Sequence, residues 1–303
     1  MDQLVSDARL ALGTVQWGLP YGVANRTGQP GPDEVSAMLS LARANDIDTL
    51  DTARAYGDSE AVIGHAVGSD PAFHVVTKTD PHLLEGSGGP AQALGRLRES
   101  LRVSRELLGR QRLDTVLLHR PDHRLAHGGA LWDALRHERD QDRIGCIGIS
   151  ALTPEDAFAA LEDADVTVMQ VASSLLDRRL FDAGFFEAAR SRGVEVHVRS
   201  VFLQGSAFFS LADLPDKLAP LEPSIRRLDE AADQLQVSRS VLFWAWARQL
   251  GASKLLVGCE RAEQLREQLA WFEDATPHLE AIASIAQELP VLGEEVVDPS
   301  RWS

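Results

Sequence analysis

Short apolar runs alternate with stretches of helical period along nearly the whole chain. The first run covers 10–17, and a helix is expected over 32–45, with Val35, Met38, Leu39 and Ala42 on one face. Pro32 at its first position, with Asp33 and Glu34 in the first turn, suits a helix start. There a missing N–H costs little and carboxylates meet the positive end of the dipole. Further apolar runs at 49–53, 75–78, 115–118, 146–150, 166–171, 194–202 and 254–257 read as strands. Helical patterns follow them over 59–67, 90–108, 130–141, 153–161, 181–191, 223–236 with 239–250, and 262–271. Thr153 and Pro154 look like an N-cap and a first helical residue. A last helix is expected over about 277–288. The tail from about 289 carries Pro290, Gly293 and Pro299 and is expected to be irregular.

Eight strand-plus-helix units in succession predict an α/β fold, a closed parallel (β/α)8 TIM barrel, forming a single domain over residues 1–303. An open doubly wound sheet is the main rival, and it normally carries G-x-G-x-x-G after its first strand. The segment Gly13-Thr14-Val15-Gln16-Trp17-Gly18 lacks that spacing. Gly86-Ser87-Gly88-Gly89 is not followed by Lys-Ser/Thr and reads as a loop.

Composition narrows the function classes. No run of about 20 apolar residues suggests a membrane span. The N-terminal residues do not read as a secretory signal. Cys146 and Cys259, the two cysteines, lie in strand-like runs and read as buried free thiols, so a reducing, cytoplasmic setting is expected. A net charge of −15 disfavours nucleic acid and anionic membranes as partners and leaves a small molecule as the expected one. Oligomeric state is left open. His119, His123 and His127 share a helical spacing, but Pro121 and Gly128-Gly129 argue for a loop and no Cys or Glu completes a ligand set, so no metal is expected. Phe243-Trp244-Ala245-Trp246 reads as a core helix.

A parallel barrel places its chemistry at the C-terminal ends of its strands. Asp51 ends the second strand, Tyr56 follows in the loop, Lys78 ends the third strand and His119 the fourth. Each alone has an ordinary explanation: a capping Asp, a packed Tyr, a solvated Lys, a core His. Together they make a set suited to carbonyl chemistry. A neutral phenol can give a proton to a carbonyl oxygen. A neighbouring ammonium favours the phenolate and eases that transfer. A partly buried ammonium requires a carboxylate, here Asp51, and a neutral imidazole can orient and polarise the carbonyl.

These residues stand in segments that resemble the aldo/keto reductase family. Asp51-Thr52-Ala53-Arg54-Ala55-Tyr56-Gly57-Asp58-Ser59-Glu60, with Gly64 after it, resembles its first signature. Val75-Val76-Thr77-Lys78 and Leu113-Asp114-Thr115-Val116-Leu117-Leu118-His119-Arg120-Pro121 resemble the next two, in the same order. The resemblance runs from about residue 10 to about residue 271. It implies an NAD(P)H-dependent oxidoreductase acting on an aldehyde or ketone, including sugars. Tyr56 would be the general acid, Lys78 and Asp51 would tune it, and His119 would orient the carbonyl. It also implies that Ser150 and Gln170 hold the nicotinamide carboxamide, with Ala151 replacing an expected Asn. Arg199, Ser200, Phe202, Gln204 and Gly205 would pass the nicotinamide and pyrophosphate, Arg199 standing where many members have Tyr. Gly258, Cys259, Glu260, Arg261, Gln264, Glu267 and Gln268 would form the adenosine-phosphate site, with phosphate at a helix N-terminus. The resemblance implies NADP as cofactor, with NAD as the alternative because Glu260 would repel a 2′-phosphate. Trp17 and Tyr21, with Leu19 and Pro20, are expected at the substrate mouth, with Phe208, Phe209 and Trp302 covering it. Two competing readings are a cofactor-bound, non-catalytic regulatory subunit of the same fold and a barrel enzyme of another class, which would bind no nicotinamide.

Overall fold

The computed structural model describes residues 8–22, 25, 28–86, 88–298, 301 and 302. Among them, eight strands close into a barrel in sequence order. They are β1 (Arg9–Gly13), β2 (Thr49–Asp51), β3 (His74–Lys78), β4 (Leu113–Leu118), β5 (Ile144–Ser150), β6 (Val168–Ala172), β7 (Glu195–Arg199) and β8 (Lys254–Gly258). Every neighbouring pair is parallel, including β8 with β1. The expected α/β class and (β/α)8 barrel are therefore observed.

Helices cover the outside of the strands, and their apolar faces form the larger core with the outward side chains of the sheet. The helix Pro32–Ala44 buries Val35, Met38, Leu39 and Ala42, the face anticipated from the 3.6-residue spacing. Inside the barrel a smaller group forms from Val76, Leu117 and Val168, with Cys146 against it. Cys146 is half-buried rather than fully buried. Thr153 caps the helix Pro154–Leu161 as expected, its side chain accepting from the Asp156 amide.

Three elements differ from the sequence reading. The first apolar run is not one strand: β1 stops at Gly13, and one helical turn, Val15–Gly18, follows. The helix expected over 181–191 is two, Arg179–Asp182 and Phe185–Ser191, because Gly184 between them takes φ +76. The tail is not wholly irregular. Glu294–Val297 form a helical turn, and Trp302 packs beside it, its Nε1 donating to the Val296 carbonyl at 3.0 Å.

The turn after β1 presses on the loop that carries Tyr56. A Cβ on Gly18 would lie 1.8 Å from the Tyr56 carbonyl oxygen and 2.4 Å from the Ser59 amide nitrogen. Gly57 has φ +55, and a Cβ there would meet the Gly18 carbonyl oxygen at 2.3 Å. Both contacts are backbone, so neither can yield by a rotamer change. Gly18→Ala is expected to cost about 1–3 kcal/mol, the range for overpacking a tight contact. A chemical denaturation midpoint equal to that of the wild type would show that the two segments are not held together here.

Candidate active site

Asp51, Lys78 and His119 leave β2, β3 and β4 at the same end of the barrel, and Tyr56 stands in the loop before the helix Ser59–Ala66. The loop is pinned from both sides. The Tyr56 amide donates to the Ala53 carbonyl at 3.0 Å, and the Ser59 hydroxyl donates to the Thr14 carbonyl at 2.8 Å. Lys78 is only 1% exposed and Asp51 2%. Lys78 Nζ donates to Asp51 Oδ1 at 2.7 Å, to Oδ2 at 2.9 Å and to the Thr52 carbonyl at 2.9 Å. Gln170 Nε2 donates to the same carboxylate at 2.7 Å. The ammonium lies 4.9 Å from the centre of the Tyr56 ring, and the His119 ring stands edge-on to that ring at 6.0 Å.

The electrostatics follow from this packing. Burial acts to lower the Lys78 pKa, but the charge of Asp51 and the proximity of Tyr56 outweigh it, and the pKa rises above its ordinary value. His119 goes the other way. Burial, then the positive charges of Lys78 and Arg199, push its pKa down to about 3, so the imidazole is neutral at pH 7. Tyr21 is exposed as a residue, yet its phenol is pushed up by partial burial and by Tyr56, while Arg199 opposes the rise.

A cavity of about 560 Å³ opens at this end of the barrel. Asp51, Tyr56, His119, Ser150, Gln170 and Arg199 line one part of it, and Lys78 lies beneath, behind Asp51. Ser200, Phe202, Gln204 and Gly205, from the segment after β7, continue the wall. Gly258, Glu260, Gln264, Glu267 and Gln268 line a further part. Tyr21 joins the rim, its hydroxyl accepting from Gln204 Nε2 at 2.8 Å and bridging the segments after β1 and β7. Gln170 Oε1, Gln16 Oε1 and His119 Nδ1, on residues that line the cavity, are buried without a partner among the described residues. An unmet buried polar atom costs about 1–3 kcal/mol unless something supplies the bond, so these atoms suit a ligand bearing an amide or hydroxyl.

Some expected residues are not on this wall. Trp17 is 2% exposed and packs in the core, because the one-turn helix after β1 rolls its indole inward and leaves Gln16 at the cavity. Leu19 and Pro20 do not line the cavity, and neither does Phe209, whereas Phe208 does. Trp302 is turned into the tail and lies off the cavity. Cys259 is buried away from it, its thiol pKa raised by burial, and Arg261 is exposed outside it. The start of the helix Ala262–Asp274 is not a vacant anion site. The Ala262 amide donates to the Glu34 carboxylate, while the Glu260 and Arg261 amides donate to Gln264 Oε1 at 2.7 and 3.1 Å.

Sequence reasoning missed Thr14, Gln16, Asn25, Leu152 and Trp271 on the lining. For Thr14 and Gln16 a signal existed: two polar residues directly after an apolar strand. Among the described residues, no cluster of three or more His, Cys, Asp or Glu could hold a metal ion, and no helix is long and apolar enough to cross a membrane.

Comparison with known proteins agrees with this architecture. An aldo-keto reductase of Bacillus halodurans, solved in its holo form, superposes with a TM-score of 0.72 at 16% identity, covering 97% of this chain and 98% of that one. A protein of Pseudomonas aeruginosa described as an aldo-keto reductase gives 0.64 at 22% identity over 90% and 94%. Among curated proteins, the pyridoxal 4-dehydrogenase of Microbacterium luteolum is 27% identical over 164 residues, 50% of this chain. The match spans 46% of that relative's length, about half of it. The aldo/keto reductase family profile matches residues 9–286, nearly the whole chain, and the protein belongs to that family.

Proposed function

We propose that this oxidoreductase interconverts an aldehyde or ketone and its alcohol, with Tyr56 as the proton donor to the carbonyl oxygen. A nicotinamide dinucleotide, when bound, supplies the hydride. The observation that carries the reading is the ammonium of Lys78, shut away from water, matched by Asp51 and set against the Tyr56 ring. Such a charge eases loss of the phenolic proton as the carbonyl oxygen gains one. Neutral His119, edge-on to Tyr56, donates a hydrogen bond that orients the carbonyl. Asp51 keeps Lys78 charged and fixes Gln170, whose free Oε1 then faces a ligand amide together with Ser150. Ser200, Phe202, Gln204 and Gly205 border the rest of the dinucleotide.

The cofactor expected from the sequence was NADP, and we revise the proposal to NAD. Glu260 and Glu267 line the cavity, and Glu34 takes the helix amide that would otherwise face a phosphate. Arg261, the cation that could pair with a 2′-phosphate, lies off the wall. On the substrate side Tyr21, Leu152 and Phe208 give a half-apolar rim, which suits a sugar or a mid-sized organic frame. The name of the curated relative makes small aromatic aldehydes, pyridoxal among them, the first class to assay.

Three outcomes test this reading. Tyr56→Phe keeps the ring and loses the proton, so kcat should fall by about 10²–10⁴-fold while the cofactor Kd, followed by fluorescence, stays unchanged. A near wild-type rate would remove Tyr56 from its role, and a wild type without turnover on any carbonyl would favour a regulatory subunit. Glu260→Arg should raise the NADPH-to-NADH ratio of kcat/KM by about tenfold, since one local repulsion becomes an attraction. An unchanged ratio would place Glu260 away from the ribose. The third concerns pH. The His119 pKa is about 3 in the folded chain against 6.5 unfolded. Between those values the unfolded chain binds more protons, so its contribution to stability is present above pH 6.5 and is lost as pH falls toward 3. Going from pH 7 to pH 5 should cost the wild type about 1–2 kcal/mol more than His119→Gln in urea unfolding. Equal losses in the two proteins would mean the imidazole is not held neutral.

A further inference from the structure

The charges around Tyr56 do not cancel. Lys78 is neutralised by Asp51 through two hydrogen bonds to one carboxylate. His119 carries no charge at pH 7. Arg199, whose guanidinium is always charged, ends β7 and lines the same cavity. Among the described residues no carboxylate lies within ion-pairing distance of it. Among the described residues the guanidinium makes one hydrogen bond, from Nη1 to the Ser200 hydroxyl, at 3.4 Å. Its charge acts on both His119 and Tyr21, which line the same cavity as Tyr56. A half-buried, uncompensated cation is therefore built into the part of the cavity where the proton moves.

We propose that Arg199 poises the bound cofactor electrostatically, favouring the neutral reduced nicotinamide over the cationic oxidised one. The inference rests on the nicotinamide reading above and adds to it a direction. The dinucleotide's two phosphates are common to both redox forms, and only the ring gains a positive charge on oxidation. A fixed cation near the ring raises the free energy of the oxidised form alone. The bound cofactor becomes the stronger oxidant, and the equilibrium on the protein shifts toward alcohol oxidation. In that direction Tyr56, in its deprotonated form, would take the hydroxyl proton as the carbonyl double bond forms, and a bound dinucleotide would supply the hydride acceptor. The departure from Tyr at this position then has a physical consequence: the negative face of a tyrosine ring favours a cationic partner, whereas a guanidinium disfavours it.

Binding, not turnover, tests the proposal. The Kd of NADH and of NAD+ is measured by titration calorimetry for the wild type, Arg199→Gln and Arg199→Lys, with thermal melts to show that each variant is folded. In Arg199→Gln the ratio Kd(NAD+)/Kd(NADH) should fall by about fivefold or more, the size expected for two unit charges about 4 Å apart even at the dielectric of water. In Arg199→Lys, which keeps the charge and loses the plane, the ratio should stay near the wild-type value. If Arg199→Gln is unfolded, Arg199→Leu and Arg199→Met are measured in the same way, with the same expected fall. Equal weakening of both forms in the neutral variant, as a phosphate contact would give, overturns the proposal and leaves the cofactor reading intact. A wild type that binds neither form, nor NADPH nor NADP+, removes the cofactor reading itself and the proposal with it.

Discussion

An ammonium kept out of water is the constraint around which the rest of the site is arranged. Lys78 has 1% of its surface exposed, and an isolated charge so placed would lose its proton or open the structure. Asp51 prevents both, and it does so from the neighbouring strand, where Asp51 of β2 pairs in register with Val76 of β3. Such a pair is a poor device for stability alone, since apolar residues of the same volume hold a core as well or better. Losing one partner of a buried pair costs about 3–5 kcal/mol. The balance of those terms makes sense if the charge serves something beside it, and the group beside it is the Tyr56 ring.

The barrel explains why this happens at one end only. Eight parallel strands bring all their C-terminal ends to one face, so loops from β1, β2, β4, β5, β6, β7 and β8 can meet around one cavity. The opposite face also carries polar and charged side chains, and several of them pair with one another. Lys254 pairs with Asp48 at 2.6 Å, and His197 with Glu195 at 2.9 Å. His74 meets the Thr115 hydroxyl at 2.8 Å. Those contacts close the barrel bottom, and at the top Gln16, Gln170 and His119 carry buried polar atoms with no partner among the described residues. Unmatched atoms that border the cavity, unlike His197 Nδ1 below, can be met by a ligand.

Much of this was legible before any coordinates. Continuous apolar runs betrayed buried parallel strands, and the spacing of Asp51, Tyr56, Lys78 and His119 on successive strand ends placed them together. Failures came where side-chain direction depends on a local turn. Trp17 reads as an extension of the first strand, because Val15 and Trp17 are good strand formers. A helical turn at that point reverses which of Gln16 and Trp17 faces the cavity, and no periodicity over four residues can reveal it. Glu260 and Arg261 pose the same problem after β8, where a cavity-lining carboxylate and an exposed cation are consecutive residues. Glu34 was out of reach for another reason. It comes from a helix more than 200 residues earlier in the chain, and only the closure of β8 onto β1 brings it to the Ala262 amide.

That closure also bears on how an acidic protein accommodates an anionic cofactor. A net charge of −15 repels any dinucleotide at a distance, but at physiological salt the field decays over about 8 Å. Selection among anions is therefore left to groups within the cavity. Near the helix Ala262–Asp274 those groups are carboxylates and amides, and the Glu260, Arg261 and Ala262 amides are already taken by Gln264 and Glu34. Near Tyr56 the balance is reversed, because Arg199 remains after Lys78 and Asp51 cancel. On the proposed reading, binding strength comes from aromatic and amide contacts along Phe202, Trp271, Gln16 and Gln170, with charge used to discriminate rather than to attract. On the proposed reading, one part of the cavity discriminates by how many phosphates the ligand carries and the other by whether its ring is charged. A protein built in this way can alter either preference by a single substitution without altering the other.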